Sequence, residues 1–306
     1  MAPASAETQG TAAPAAHGLV RRYYAEVWNA WNARSLEELI APEIVFRGSI
    51  GTEVHGIEEF REYVNRIRAA FPDFHNQVEE LIGEGASVAA RLTYTGTHRG
   101  EILGFGPSGA RIRYQGIAVF HIANGKIVEG NVLGDVAALK RQLLQGEIAA
   151  TLQEMAGVTA MALATQAEEE WAAALMSSSE PWRTLRRNYE QSLTAMREAS
   201  HHLLVAHGGD GAPVGFLLVH LDGVAGSPYI RSIAVAEAHR GTGIGAGMLE
   251  FAHALFRRRA RHVFLCVSSF NPRARALYER MGYEMVGEFE GYVVPEASEV
   301  LMRKRL

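Results

Sequence analysis

Only one cysteine, Cys266, occurs among the 306 residues, so neither an intrachain disulfide nor a cysteine-built zinc site can form. A chain so poor in thiols suits a reducing interior, and a cytoplasmic location is expected. Cys266 lies within the apolar run HVFLCV, where a small buried filler fits better than a nucleophile. Long apolar runs are missing too: none approaches the roughly 20 residues that cross a bilayer, so no membrane partner is expected. Net charge is equally scarce. A formal balance of -4 gives no field for holding a polyanion, which argues against nucleic acid as a partner. The basic run Arg257, Arg258, Arg259, Arg261 and His262 closes a helical pattern, where cations suit the helix dipole. His55, His98 and His121 match no compact ligand spacing, and no metal is expected.

What is present suffices for two cores, because the length exceeds that of one ordinary domain. Residues 1–16, MAPASAETQGTAAPAA, read as a disordered tail, without the basic segment and apolar core of a signal peptide. A first domain is expected over 17–146. It opens with a helical stripe, Leu19, Tyr23, Val27 and Ala30, followed by a short helix near Ser35 to Ile40 that ends at Pro42. A third helix is expected from Ile57 to Ala70. Strand-like segments follow at 87–97, 110–122 and 126–133, the last two joined by the Asn124-Gly125 turn signal. Helices before an antiparallel sheet make an α+β domain. A helical bridge from Val136 to Ala156 runs into an expected linker at 147–160. The second domain, 161–306, is expected to carry helices at Glu168 to Leu175, Trp182 to Ala199, Gly245 to Arg258 and Pro272 to Met281, interleaved with strands. No internal repeat links the halves.

The most informative segment is SIAVAEAHRGTGIGAGMLEFAHAL, residues 232–255. A strand ends at Val235, and Arg240-Gly241-Thr242-Gly243-Ile244-Gly245 then leads into an amphipathic helix. Glycines let the backbone turn tightly, and amides at a helix start receive phosphate oxygens. RGTGIG lacks the lysine and Ser/Thr of a Walker loop and does not fit GxGxxG. It resembles the pyrophosphate-binding R/Q-x-x-G-x-G/A motif of the GNAT acyltransferases, through Arg240, Gly243 and Gly245. Downstream, SSFNPRARALYERMGYEMVGEFEGY resembles a second stretch of that family, through Asn271, Ala274, Leu277, Tyr278, Gly282 and Tyr283. The resemblance implies a mixed α/β sheet splayed between two central strands, with acetyl-CoA as cofactor and N-acetyl transfer to an amine as the reaction. Ile233, Ala234 and Val235 would pair with the pantetheine; Arg240, Gly241, Thr242, Gly243, Ile244 and Gly245 would hold the pyrophosphate, and Asn271 would bond the cofactor or fix its loop. Tyr278 matches the family's general acid, and a phenol is protonated at neutral pH. The strand YIRSIAV carries no Glu, so a water chain touching Ser268, Ser269, Glu237 or His239 is considered for the base. Trp171 and Trp182 are candidates for the acceptor pocket or for the core.

Residues 19–145 resemble the SnoaL-like polyketide cyclases, a branch of the NTF2-like superfamily, over YYAEVWNAWNARSLEELIAPEIVFRG, HGIEEFREYVNRIRAAFPDF, VAARLTYTGTHRGEILGFGPSGARIRYQGIAVFHIANGKIVEG and GDVAALKRQL. This resemblance implies a cone-shaped α+β barrel around an apolar pocket lined by Trp28, Phe46, Tyr94, Tyr114 and Asn131, with Asp135 as acid/base and His98 as its partner. A carboxylate in an apolar cavity can shuttle a proton during ring closure. Asp135 also stands where it would cap the following helix. An epoxide-opening set of Arg91, Asp73 and Asp135 is a further alternative. Two readings of the whole follow. One is a bifunctional biosynthetic enzyme acting on small molecules; the other is a single acetyltransferase whose first domain binds substrate or dimerises. A homodimer through the first domain is the expectation from the family.

Overall fold

The computed structural model describes residues 12–155 and 160–306. Two compact units meet between Glu147 and Ile148. The tail reading at 1–16 falls outside the described residues up to residue 11. From Ala12 the chain is helical.

The first unit opens with α1 (Ala12–Arg22), which continues as a π-helical segment over Tyr23–Asn29 and buries Val20, Tyr23, Tyr24, Val27 and Trp28. α2 (Ala33–Leu39) starts at Asn32, whose Oδ1 accepts from the amides of Arg34 and Ser35 at 3.0 and 3.4 Å. Then come β1 (Ile40–Arg47), β2 (Glu53–His55), α3 (Gly56–Ala70), β3 (His75–Glu84), β4 (Ser87–Thr97), β5 (Arg111–Ala123), β6 (Lys126–Gly134) and α4 (Val136–Glu154). Alternation sets the core side: Val88, Ala90, Leu92 and Tyr94 of β4 and Ile112, Tyr114, Ala118 and Phe120 of β5 are buried. The β5–β6 hairpin turns through Asn124 and Gly125, both at positive φ, 51° and 74°.

The strands form one sheet in the order β2-β1-β6-β5-β4-β3, antiparallel except for the β1–β6 pair. This corrects the expected barrel. The sheet is open, with β2 and β3 as separate edges. A barrel needs a partner strand on every edge, whereas the outer edge of β3 is met at Asn76 by a side chain. Asn29 donates from Nδ2 to the Asn76 carbonyl at 3.0 Å and accepts from its amide at 2.8 Å. α4 runs through to Glu154, across the stretch expected as a linker, and anchors to the first unit at Glu147, which accepts from the Gly106 amide at 3.0 Å.

The second unit comprises β7 (Ala160–Leu163), α5 (Gln166–Ser178), α6 (Tyr189–Arg197), β8 (His201–His207), β9 (Pro213–Val224), β10 (Ser227–Val235), α7 (Ile244–Arg257), β11 (His262–Ser268), α8 (Pro272–Arg280), β12 (Glu284–Glu290) and β13 (Ser298–Arg305). The sheet order is β12-β13-β11-β10-β9-β8-β7, with β10–β11 as the parallel pair. The expected helix from Trp182 is not formed: residues 182–186 make turns, closed by bonds such as Arg187 N to the Trp182 carbonyl at 2.9 Å. α6 begins only after Asn188, which forms a reciprocal cap with Gln191. α5, α6 and the turns between them cover one sheet face through Ala172, Met176, Trp182, Ala195 and Met196, packed on Leu203, Val205, Phe216, Leu218 and Ala234. α7 buries a continuous stripe of its own: Met248, Leu249, Phe251, Ala252, Leu255 and Phe256.

Candidate functional site

In the second unit the sheet parts at its centre. β10 pairs with β11 only at Tyr229↔Phe264 and Ile230↔Leu265, yet β10 stays paired with β9 as far as Val235 and β11 stays paired with β13 as far as Ser268. Between Ile230 and Ser232 the β9 register slips, leaving Arg231 as an extra residue in a bulge. From there to Val235, no strand pairs with β10 on the β11 side among the described residues. Ile233 and Val235 are half-buried and Ala234 is buried. A narrow extended ligand fits such a peptide edge.

Beyond Val235 the chain makes a turn of exposed residues, Arg240 to Gly243, and enters α7. Gly241 and Gly243 have φ of +83° and +93°, a conformation that side chains disfavour. Gly243 is the N-cap and, having no side chain, gives the first amides of α7 no side-chain cap. A Cβ at Gly243 would meet nothing within 4 Å, and the nearest group to one at Gly241 is the Arg273 guanidinium at 4.0 Å. A free helix start of 14 residues beside an arginine suits a pyrophosphate. Ile244 and Gly245 form the first turn. Thr242 donates from Oγ1 to the His239 carbonyl at 2.7 Å and so holds the loop. Arg240 turns elsewhere than its expected role: its Nε donates to the Val235 carbonyl at 3.0 Å and its Nη2 to Ser179 Oγ at 3.2 Å. It is a brace for the loop. Asn271 likewise caps α8, its Oδ1 accepting from the Ala274 amide at 3.2 Å.

Tyr278 of α8 is buried, and burial pushes its phenol well above the ordinary value. Its ring meets Tyr283 edge-on at 5.9 Å, and the Tyr283 hydroxyl lies 2.9 Å from His253 Nε2.

A polar pair lies beyond the parting, on β11 and β13; the sequence offered Ser268 for a water chain and gave no sign of Glu299. Ser268 and Glu299 are register partners across β11 and β13, and the Ser268 hydroxyl donates to Glu299 Oε1 at 2.6 Å with both residues buried. Tyr229, at the first of the two rungs that β10 shares with β11, is raised by burial and then by its contact with Cys266, while Arg231 pulls it the other way. Burial also raises the Cys266 thiol. Arg187 is half-buried, its Nε has no partner among the described residues, and burial together with repulsion from Arg231 lowers its pKa.

The first unit holds a cavity walled by Tyr23, Tyr24, Trp28, Phe46, Tyr63, Phe74, Tyr94 and Tyr114, with Ser49 and Asn76 as its other polar side chains. Four of the five expected pocket residues therefore stand together: Trp28, Phe46, Tyr94 and Tyr114. Phe74 and Tyr94 stack at 5.8 Å, and the Tyr94 hydroxyl is buried without a partner among the described residues. Burial pushes Tyr114 up to about 12, offset in part by Ser49. The expected acid/base residues are not on this wall. Asp135 is exposed and its Oδ1 accepts from the Ala138 amide at 2.9 Å, as a helix cap does. His98 is fully buried, bonds Ser108 Oγ through Nδ1 at 3.0 Å and packs on Phe71 at 5.6 Å; burial lowers its pKa. Asn131 donates to Glu129 at 2.9 Å. The epoxide-opening set is dispersed: Arg91 pairs with Glu80, and Asp73 accepts from the amide and hydroxyl of Thr97. No residue lining the cavity is acidic, basic or a histidine.

Among the described residues no cluster of metal-ligating side chains occurs, and no helix is long and apolar enough to cross a membrane. Residues 18–143 match the SnoaL-like polyketide cyclases, and residues 159–283 match the GNAT acetyltransferases. Aklanonic acid methyl ester cyclase AcmA of Streptomyces galilaeus is 30% identical over 124 residues, which is 40% of this chain and 86% of that enzyme. Streptothricin acetyltransferase of Streptomyces lavendulae is 36% identical over 91 residues, 29% of this chain. The chain spans about half the length of that relative, 48%. Among solved structures, TsrD from Streptomyces laurentii is 28% identical, with a TM-score of 0.39 over 42% of this chain and 95% of that one.

Proposed function

Because the chain belongs over residues 18–143 to the SnoaL-like polyketide cyclase family and over residues 159–283 to the GNAT acetyltransferase family, we propose that it acetylates a small-molecule amine of secondary metabolism, using acetyl-CoA. The parted sheet carries this reading. It offers a peptide edge at residues 233–235 that leads to a helix start at Gly243 to Gly245, the shape a pantetheine and its pyrophosphate require. When bound, acetyl-CoA supplies an acetyl group already activated as a thioester. The chain's residues bind and time the transfer. Backbone groups of Ile233 and Ala234 align the donor, the amides of Gly241 to Gly245 hold phosphate, Arg273 adds charge, and Arg240 keeps Val235 and the loop in register. Tyr278, kept protonated by burial, gives a proton to the departing sulfur. The test is product mass after incubation with acetyl-CoA and an amine panel. Tyr278→Phe should lower turnover about 10²- to 10⁴-fold while acetyl-CoA still binds; unchanged turnover refutes the assignment.

For the first unit, the lining favours a module that binds the acceptor or a related flat, apolar molecule. The buried Tyr94 hydroxyl is free to donate to a carbonyl, and phenols raised by burial donate rather than remove protons. The cyclase reading rests on the likeness to AcmA and requires a base from outside the described wall. Ring-closed product from the full-length protein, abolished in Tyr94→Phe, favours the cyclase; binding without turnover favours the module. The sheet face opposite the core exposes Ile117, Val119 and Leu133, and pairing of two copies across it is proposed.

A further inference from the structure

Where β10 and β11 part, the second unit gathers charges of both signs. Glu299 is a buried carboxylate, held by the Ser268 hydroxyl at 2.6 Å across the β11–β13 ladder. On β10, Arg231 protrudes from the bulge one rung beyond the last pair with β11. Arg187 lies near enough to Arg231 for the two to repel, and its Nε is buried without a partner. Neither arginine makes an ion pair among the described residues. Arg231 is exposed, whereas the buried, unbonded Nε of Arg187 costs free energy that an anion would relieve, and a planar fork suits a carboxylate or a phosphate. Tyr229 bonds Cys266, which shares its face of β11 with Ser268, so the strand register sets Arg231 and Glu299 beside the same opening.

We propose that the acceptor is an amine that also carries an anionic group: Glu299 receives its ammonium and takes one proton, while Arg187 and Arg231 bind its carboxylate or phosphate. This rests on the acetyltransferase reading above. The neutral nitrogen then attacks the thioester carbonyl, a C–N bond forms and the C–S bond breaks. The sulfur leaves with the Tyr278 proton, and the second proton shed by nitrogen restores the phenol. A polycationic acceptor is disfavoured by the two arginines, and a neutral amino sugar leaves them unanswered.

The test uses the full-length protein. Calorimetry first measures acetyl-CoA binding; absence of binding overturns the transferase reading itself. With binding present, turnover is compared for amino acids, phosphorylated amino sugars, neutral amino sugars and polyamines. Turnover confined to the first two groups is expected, and their relative rates separate carboxylate from phosphate. Arg231→Gln should raise KM for those amines at least tenfold, with kcat and the acetyl-CoA Kd within twofold of the parent. Glu299→Gln should lower kcat and make rate climb with pH toward the amine's own pKa, since hydroxide must then remove the proton. Preference for neutral or polycationic amines, or no turnover of anionic ones, overturns the inference. So does an Arg231→Gln protein that loses acetyl-CoA affinity, or that retains KM but loses use of succinyl-CoA, because the arginines would then serve the donor.

Discussion

Burial sets the duties of two side chains apart. His253 is buried against Tyr283, and burial, with Lys304 and Arg257 adding to it, pushes its imidazole down to about 3. In the unfolded chain the same group titrates near 6.5. Between those values the unfolded state binds more protons, so stability is full above about pH 6.5 and falls as pH drops toward 3. The slope attributable to this residue is at most about 1.4 kcal/mol per pH unit. Denaturant midpoints at pH 4.5 and 7 check this: His253→Gln should narrow the gap between them. Asp135 is the converse, exposed, with its carboxylate capping the start of α4. Asp135→Ala should cost about 1 kcal/mol in thermal unfolding and leave ligand affinity of the cavity unchanged. A loss of affinity without a loss of stability would return Asp135 to the active residues.

Elements show why some of the fold was legible and some was not. β4 and β5 were readable because Val88, Ala90, Leu92 and Tyr94, then Ile112 and Tyr114, alternate inward. β1 was hidden by Pro42, taken as a helix stop. It lies inside the strand, where the register with β6 is irregular between Ile40 and Val45 and an amide donor is not needed. β3 was hidden because its buried position is Asn76, a polar residue whose partner, Asn29, lies 47 positions earlier. That same pair occupies the outer edge of β3 at Asn76, and no local pattern announces it. At the α7 start the glycines were legible, and the structure gives them a sharper test. A side chain at Gly243 meets open space, so Gly243→Val acts through the +93° φ alone. It should cost roughly 1–3 kcal/mol of local strain and weaken acetyl-CoA at least tenfold by calorimetry, with the helical circular dichroism retained. Unchanged affinity would remove the loop from the donor site.

At the scale of the whole chain, the two families were legible because each writes its motif locally: the glycine turn and Tyr278 in one, a spread of helix and strand segments in the other. The acceptor end was not. Ser268 and Glu299 are 31 residues apart and meet only because β11 and β13 pair. Arg187 and Arg231 lie on a turn and a bulge, elements that periodicity does not mark. The proposed pairing of two copies has its own check. Leu133→Lys places a charge on a residue 80% exposed, so it leaves the fold intact while sedimentation shifts from dimer to monomer; an unchanged mass would exclude that face.

The gap beside β10 has one more consequence. An unpaired strand edge normally invites another chain to add itself, the route by which sheets aggregate. Here the edge lies in mid-sheet, with β11 still alongside and roofed by its own pairing to β13. A chain added there would have to enter between two strands of one sheet, not lie along a free rim. The fold thus keeps an adhesive surface on permanent offer while holding it away from the rim where sheets meet edge to edge.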